Sequence, residues 1–167
     1  MTFQPALSYT TDLNSDWPSL VVADLDGNGR LDLVLGHSNW IYLDILLGNG
    51  DGTFGAPIRI STGLRSGPAA LAVRDFNHDD HLDIVVTNRY ANNIGIFLGK
   101  GNGTFNNQTK FSTGSDNSPF IILADDLNRD GHLDVAVITK GQLPLLNLRT
   151  DNLIGTHPLI TESLRSD

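Results

Sequence analysis

The sequence predicts an all-β protein made of three copies of one four-stranded unit, and three observations support this fold class. The first is an internal repeat with a period of 51 residues, marked by Asp24, Asp75 and Asp126. The second is that short aliphatic and β-branched runs alternate with turns rich in Gly, Asn and Asp. The third is that no segment carries a sustained helical period of apolar residues.

Each repeat contains two recognisable segments. The first includes the marker aspartate and reads ADLDGNGRLDLVL at 23–35, RDFNHDDHLDIVV at 74–86 and DDLNRDGHLDVAV at 125–137. The second is a glycine-rich turn, which reads LLGNGDGTF at 46–54 and FLGKGNGTF at 97–105. The pattern decays beyond Gly141, so we expect a degenerate C-terminal end.

Within the first repeat, the apolar runs predict four short strands, at residues 20–23, 31–35, 41–47 and 54–61. Four strands in a repeat of this length are typical of a β-propeller blade, whereas a β-solenoid prefers shorter periods and a sandwich would not repeat so strictly. We expect a single repeat domain, 1–167. Its parts are a strand at 1–12 that completes a neighbouring blade, a first blade at 13–63, a second at 64–114 and a third at 115–167.

Three blades cannot close a propeller ring, since rings typically have four to eight. The chain is therefore expected to be a fragment of a longer propeller, an open stack, or half of an oligomeric ring. A homodimer with two-fold symmetry would give a six-bladed ring, in which the first strand of each chain completes the last blade of its partner.

Composition and charge argue against several classes of protein. Eleven Lys and Arg against 19 Asp and Glu give a net charge of −8, which does not suit a nucleic-acid-binding surface. The chain has no Cys, which excludes disulfides, zinc–thiolate sites and a thiol nucleophile. No apolar stretch is long enough to span a membrane, and the first residues do not resemble a secretory signal. Of the 19 acidic residues only Glu162 is Glu, so short carboxylates in turns are favoured.

The acidic segments follow the pattern D-x-[DN]-x-[DN]-x-x-x-D. Oxygen atoms at positions 1, 3, 5 and 9, with the backbone carbonyl of position 7, would converge as Ca²⁺ requires: six to eight oxygens at about 2.3–2.6 Å. The predicted ligands are Asp24, Asp26, Asn28, Arg30 and Asp32; Asp75, Asn77, Asp79, His81 and Asp83; and Asp126, Asn128, Asp130, His132 and Asp134. Up to three Ca²⁺ ions per chain would bring the net charge to about −2. The alternative is that these residues only form Asx-type turns.

These loops, and the G-x-G-x-G-T-F turns between them, resemble the FG-GAP/VCBS repeats of integrin-alpha-type β-propellers over roughly residues 1–140. The resemblance implies that Ca²⁺ would lie at the ends of the blade hairpins and stiffen them. It also implies a role in adhesion or ligand binding outside the cell, or attachment to a secreted enzyme.

One loop departs from the pattern at position 6. Gly29 and Gly131 occupy it in the first and third loops, and Asp80 occupies it in the second. We expect this position to need a positive φ angle, which glycine adopts freely and aspartate only at some cost. The second loop is therefore expected to bind calcium more weakly.

Two tryptophans fall outside the repeat. Trp17 stands where the other repeats have Pro68 and Pro119, and Trp40 precedes a predicted strand. They are candidates for a sugar- or peptide-binding surface, although partial burial is the simpler interpretation. We expect a non-catalytic, calcium-stabilised module that binds a protein or glycan at the cell surface or outside the cell. The alternative is a carbohydrate-binding or accessory domain of a secreted hydrolase or lyase.

Overall fold

The computed structural model describes residues 18–127, 129–140, 144–147 and 160–163. The predicted first strand at 1–12, Trp17 and Asn128 lie outside these residues. The described strands are β1 (Pro18–Ala23), β2 (Asp32–His37), β3 (Tyr42–Leu46), β4 (Ile58–Ser61), β5 (Pro68–Arg74), β6 (Asp83–Asn88), β7 (Asn93–Phe97), β8 (Thr109–Ser112), β9 (Ile121–Asp125), β10 (Asp134–Ile138), β11 (Pro144–Asn147) and β12 (Ile160–Ser163). A single turn of 3₁₀ helix, Arg89–Ala91, follows β6.

The strands form antiparallel sheets in chain order. Strands β1–β4 make the first four-stranded sheet and β5–β8 the second, while the third repeat contributes the pairs β9–β10 and β11–β12. The all-β prediction is confirmed, and sheets of this kind agree with a partial propeller. The fourth strand is shorter than the predicted 54–61, because Phe54 forms only an isolated bridge with Gly48 and the ladder starts at Ile58.

The backbone keeps the 51-residue period where the sequence pattern has decayed. The fourth strands are Ile58–Ser61, Thr109–Ser112 and Ile160–Ser163. The third strands begin at Tyr42, Asn93 and Pro144. The third repeat therefore contains strands at the expected positions beyond Gly141.

The sheets stack face to face, and two apolar clusters lie between them. The cluster between the first and second sheets includes Val34, Ile45, Ile84 and Val86. The cluster between the second sheet and the β9–β10 pair includes Val85, Ile94, Ile96, Val135 and Val137. All six residues of β6 are buried, because the second sheet is covered on both faces. This arrangement also aligns the β1–β2, β5–β6 and β9–β10 connections at one end of the stack.

Candidate metal centre

The three Asp loops are the connections between the first two strands of each sheet. The antiparallel ladders end in the pairs Ala23↔Asp32, Arg74↔Asp83 and Asp125↔Asp134. The ninth loop residue is thus the first residue of the second strand, and its ladder partner immediately precedes the first loop residue. This register brings positions 1 and 9 together at the neck of each loop.

The first loop gathers three carboxylates. Asp24, Asp26 and Asp32 each contribute one carboxylate oxygen, and these three oxygens lie within 4.8 Å of one another. Asp32 is fully buried. Among the described residues, no other three Asp, Glu, His or Cys side chains bring their metal-binding atoms this close together. Three like charges this close repel one another, and a divalent cation would remove the repulsion.

Position 1 has the same role in all three loops, where its carboxylate accepts hydrogen bonds from the backbone N–H groups of positions 5 and 6. Asp24 accepts from Asn28 at 3.1 Å and from Gly29 at 2.7 Å. Asp75 accepts from positions 79 and 80 at 3.2 and 2.9 Å, and Asp126 from positions 130 and 131 at 3.1 and 2.9 Å. These bonds wrap the loop around its first carboxylate.

Positions 3 and 5 form an Asn–Asp pair whose order is reversed between loops. In the first loop, the Asn28 amide donates to Asp26 at 2.7 Å. In the second loop, the Asn77 amide donates to Asp79 at 2.9 Å. Both arrangements supply one carboxylate and one amide oxygen.

Position 7 receives a hydrogen bond from within the loop. The side-chain oxygen of position 5 accepts from the position 7 N–H, at 2.8 Å for Arg30 and 2.9 Å for His81 and His132. The Arg30 and His81 side chains are exposed, and the His132 ring packs edge-on against His78 with centroids 5.5 Å apart.

Position 9 connects the first and second loops to their glycine-rich turns. Asp32 accepts from the N–H of Leu25 at 2.8 Å and of Gly48 at 2.7 Å. In the second loop, the Asp83 carboxylate accepts hydrogen bonds from the N–H of Phe76 at 2.9 Å and from the N–H of Gly99 at 2.7 Å. In the third loop, Leu127 N–H donates to Asp134 at 3.0 Å. The counterpart of Gly48 and Gly99 there is position 150, which is outside the described residues.

The residue of the turn that donates its N–H to position 9 must be glycine. A Cβ atom at Gly48 would lie 2.2 Å from the Leu31 carbonyl oxygen, and one at Gly99 would lie 2.2 Å from that of Leu82. Gly48 and Gly99 were not among the predicted site residues. Their recurrence exactly one period apart is the signal that could have identified them.

The environment of Asp83 disfavours its charged form. Burial raises the pKa of this carboxyl, and the negative charges of Asp79 and Asp75 raise it further. The hydrogen bonds from the Gly99 and Phe76 N–H groups act in the opposite direction. A bound cation would supply the missing positive charge.

Two positions of every loop have left-handed backbone. Position 6 has φ of +79° at Gly29, +63° at Asp80 and +86° at Gly131, as the sequence predicted. Position 4 shares this conformation, at Gly27 (+72°), His78 (+58°) and Arg129 (+62°). The first loop thus has glycine at both positions, the third at one and the second at neither.

Trp40 lies at the other end of the first sheet, in an aromatic cluster. Its ring centroid is 3.9 Å from that of His37 and 4.7 Å from that of Tyr42. The Arg59 guanidinium lies 4.6 Å from the Tyr42 ring and 2.9 Å from the Asp44 carboxylate. Trp40 is therefore half-buried and packed on its neighbours.

His37 is buried beneath this cluster. Neither ring nitrogen has a hydrogen-bond partner within the described residues. Burial lowers the pKa of His37, Asp44 raises it and Arg59 lowers it. The ring is thereby favoured in its neutral form.

Within the described residues, no helix has the length and apolar character needed to cross a membrane.

The family model described as "FG-GAP-like repeat" matches the chain twice, at residues 24–86 and 75–137. Each match begins at the first residue of an Asp loop, and together they span more than half of the 167 residues. No curated protein matches the chain. The resemblance found in the sequence is thus confirmed, and the chain belongs to the FG-GAP-like repeat family.

Proposed function

We propose that this chain is a non-catalytic, calcium-binding β-propeller repeat module that acts in binding or adhesion outside the cell. The observation that carries the proposal is the convergence of the Asp24, Asp26 and Asp32 carboxylates within 4.8 Å in a loop whose pattern recurs twice more. Oxygen-rich, multiply charged loops of this kind suit a hard cation that prefers six to eight oxygen ligands.

The proposed ligands of each ion are the side-chain oxygens of positions 1, 3, 5 and 9 and the carbonyl of position 7. Their hydrogen bonds leave room for a metal, because an ionised carboxylate has about four acceptor sites and each described one uses only some of them. Asn128 remains a prediction, as it lies outside the described residues.

The backbone angles predict an order of affinity. A side chain at positive φ costs roughly 1–2 kcal/mol, less for Asp than for most residues. The first loop avoids this cost because it has glycine at both left-handed positions, 4 and 6. The third loop has glycine only at position 6, and the second loop has it at neither. We therefore expect affinities in the order first, third, second loop.

The test is calorimetric titration of Ca²⁺ into protein stripped with EDTA, with Mg²⁺ as the comparison ion. We expect two or three calcium sites per chain and no comparable magnesium binding. Dissociation constants should fall near 10⁻⁴–10⁻³ M, the range of extracellular calcium modules. A folded protein that binds no calcium would refute the proposal.

Asp24→Ala should remove the strongest site and the stability that calcium confers through it. The matched control is Asp51→Ala, which deletes the same charge from the neighbouring turn. There the carboxylate bonds to the Thr53 hydroxyl at 2.6 Å and to the Thr53 N–H at 2.9 Å, and these bonds lower the pKa of Asp51. Equal calcium binding by the two variants would contradict the assignment of Asp24.

The alternative, a carbohydrate-binding accessory domain, depended on Trp17 and Trp40. Stacking a sugar requires an open aromatic face, whereas Trp40 contacts the rings of both His37 and Tyr42. Its packing supports a structural role, so the calcium-dependent module is the better supported function. Glycan binding that is lost in Trp40→Ala, while the fold is retained, would reverse this preference.

A further inference from the structure

The first sheet leaves an apolar surface exposed, which we call the head face. It consists of Leu20 and Val22 on β1 with Leu33 and Leu35 on β2, and the ladder pairs Leu20↔Leu35 and Val22↔Leu33 place all four on one side. Leu20 is 56% exposed and Val22 50% exposed. Apolar side chains grouped in this way mark an interaction surface.

The internal repeat shows what this face does in the other sheets. One period later, the same positions are Leu71, Val73, Ile84 and Val86, which are all buried in the cluster shared with the first sheet. Another period later they are Ile122, Ala124, Val135 and Val137, which pack against the second sheet. In both cases this face is the one that covers the preceding sheet.

The β9–β10 pair exposes the opposite face, which we call the tail face. Ile121 and Leu123 are 46% and 57% exposed, and their ladder partners are Ile138 and Ala136. One period earlier these four positions are Ala70, Ala72, Thr87 and Val85 of the second sheet. Ala72 and Val85 lie in the cluster that receives the β9–β10 pair.

We propose that a second copy of this chain supplies the missing neighbour, so that the tail face of one copy packs on the head face of the other. The contact repeats the sheet-to-sheet interface already present twice within the chain. The head and tail faces of these three repeats cannot meet each other, because propeller rings typically have four to eight blades. Two copies related by a two-fold axis would form two such contacts and a six-bladed ring.

The outer part of the head side carries residues suited to an interface. Asp44 is the ladder partner of Leu35 and so shares its side of the sheet, and Arg59 is the ladder partner of Asp44. Arg59 contacts the rings of Tyr42 and Trp40. The Arg59 side chain is 54% exposed, and Tyr42 lies on the same side of β3 as Asp44. Tyr and Arg are among the residues most concentrated at the energetic centres of protein interfaces.

The proposal is tested by the mass of the full chain in solution, measured by light scattering after size exclusion in calcium-containing buffer. The parent should have twice the chain mass of 18.1 kDa. Leu20→Glu and Leu123→Glu should each reduce it to the single-chain mass. Leu64→Glu, at an 85% exposed leucine outside both faces, is the matched control and should keep the parent mass.

Mixing the two disrupted variants distinguishes a head-to-tail contact from other dimers. Leu20→Glu keeps its tail face and Leu123→Glu keeps its head face, so the mixture should recover a two-chain species through one intact contact. A parent that has the single-chain mass, or a mixture that stays at that mass, would overturn the proposal.

A covalent readout applies if a glutamate variant fails to fold. The chain contains no cysteine, so the double variant Leu20→Cys with Leu123→Cys carries the only two thiols. Oxidation should join two chains if the faces meet, and exclusively single chains after oxidation of the folded variant would refute the contact.

Discussion

Replacing Gly48 by alanine tests the contact between the first Asp loop and the glycine-rich turn. The added Cβ would lie 2.2 Å from the Leu31 carbonyl oxygen, whereas ordinary contacts are 3.4–4 Å, so the turn must move by about 1 Å. That shift breaks the 2.7 Å bond from Gly48 N–H to buried Asp32. A hydrogen bond to a charged group contributes about 1.5–3 kcal/mol, and its loss leaves a buried oxygen unpaired. We expect a loss of about 3 kcal/mol in the free energy of unfolding.

The assay is thermal unfolding of calcium-free protein, in which a loss of about 3 kcal/mol lowers Tm by roughly 6–12 °C for a chain of this size. Gly55→Ala is the matched control. Gly55 follows the same turn, lies outside the positive φ region, and its Cβ would meet only the Leu47 carbonyl oxygen at an ordinary 3.6 Å. Equal Tm values for the two variants would show that the contact of Asp32 with the turn does not stabilise the sheet.

Two further predictions concern the backbone and the buried histidine. Gly29→Ala meets no atom within 4 Å but places a side chain at φ of +79°, so it should cost about 1 kcal/mol, while Asp80→Gly should cost less or stabilise. Chemical denaturation measures both, and a neutral Gly29→Ala would refute the strain argument. Burial lowers the pKa of His37 below its ordinary 6.5, so the unfolded chain binds a proton more readily than the folded chain does. The contribution of the neutral, buried His37 to the free energy of unfolding is therefore fully present above pH 6.5 and is lost as the pH is lowered. His37→Asn, which copies Asn88 of the second sheet, should lose this part of the pH dependence, and identical pH profiles would contradict it.

The sequence predicts most of the fold because the repeat aligns each strand, loop and turn with its counterpart 51 residues later. One period of 51 residues is enough to place strands, loops and glycine turns in the first two sheets. It also predicts the left-handed backbone at Asp80, since glycine occupies the equivalent positions 29 and 131. Position 4 gives a weaker signal, because only Gly27 is glycine there: His78 is of a residue type modestly enriched at positive φ, and Arg129 is not.

The contacts between the two motifs of each repeat were harder to predict. Asp32 and Gly48 are 16 residues apart, and each belongs to a motif that is complete on its own: a set of metal ligands and a hairpin turn. The hydrogen bond between them follows from the β2–β3 register, in which Leu33 pairs with Leu46, so that Asp32 and Gly48 lie next to each other just beyond the end of the ladder. The two motifs do not state this register by themselves. The third strands show the reverse case, since Pro144–Asn147 keeps its place in the period without the sequence pattern of Tyr42–Leu46.

Position 9 gives the proposed calcium sites an influence beyond their own loops. In the second sheet, Asp83 accepts hydrogen bonds from both the loop and the glycine turn, and its burial and acidic neighbours raise its pKa. A proton on this carboxyl would occupy an oxygen that the turn or a metal could otherwise use. A cation in the loop would instead stabilise the charged form that accepts both bonds. Calcium would therefore stabilise the β5–β6 connection and the β7–β8 turn together, because one carboxylate belongs to both.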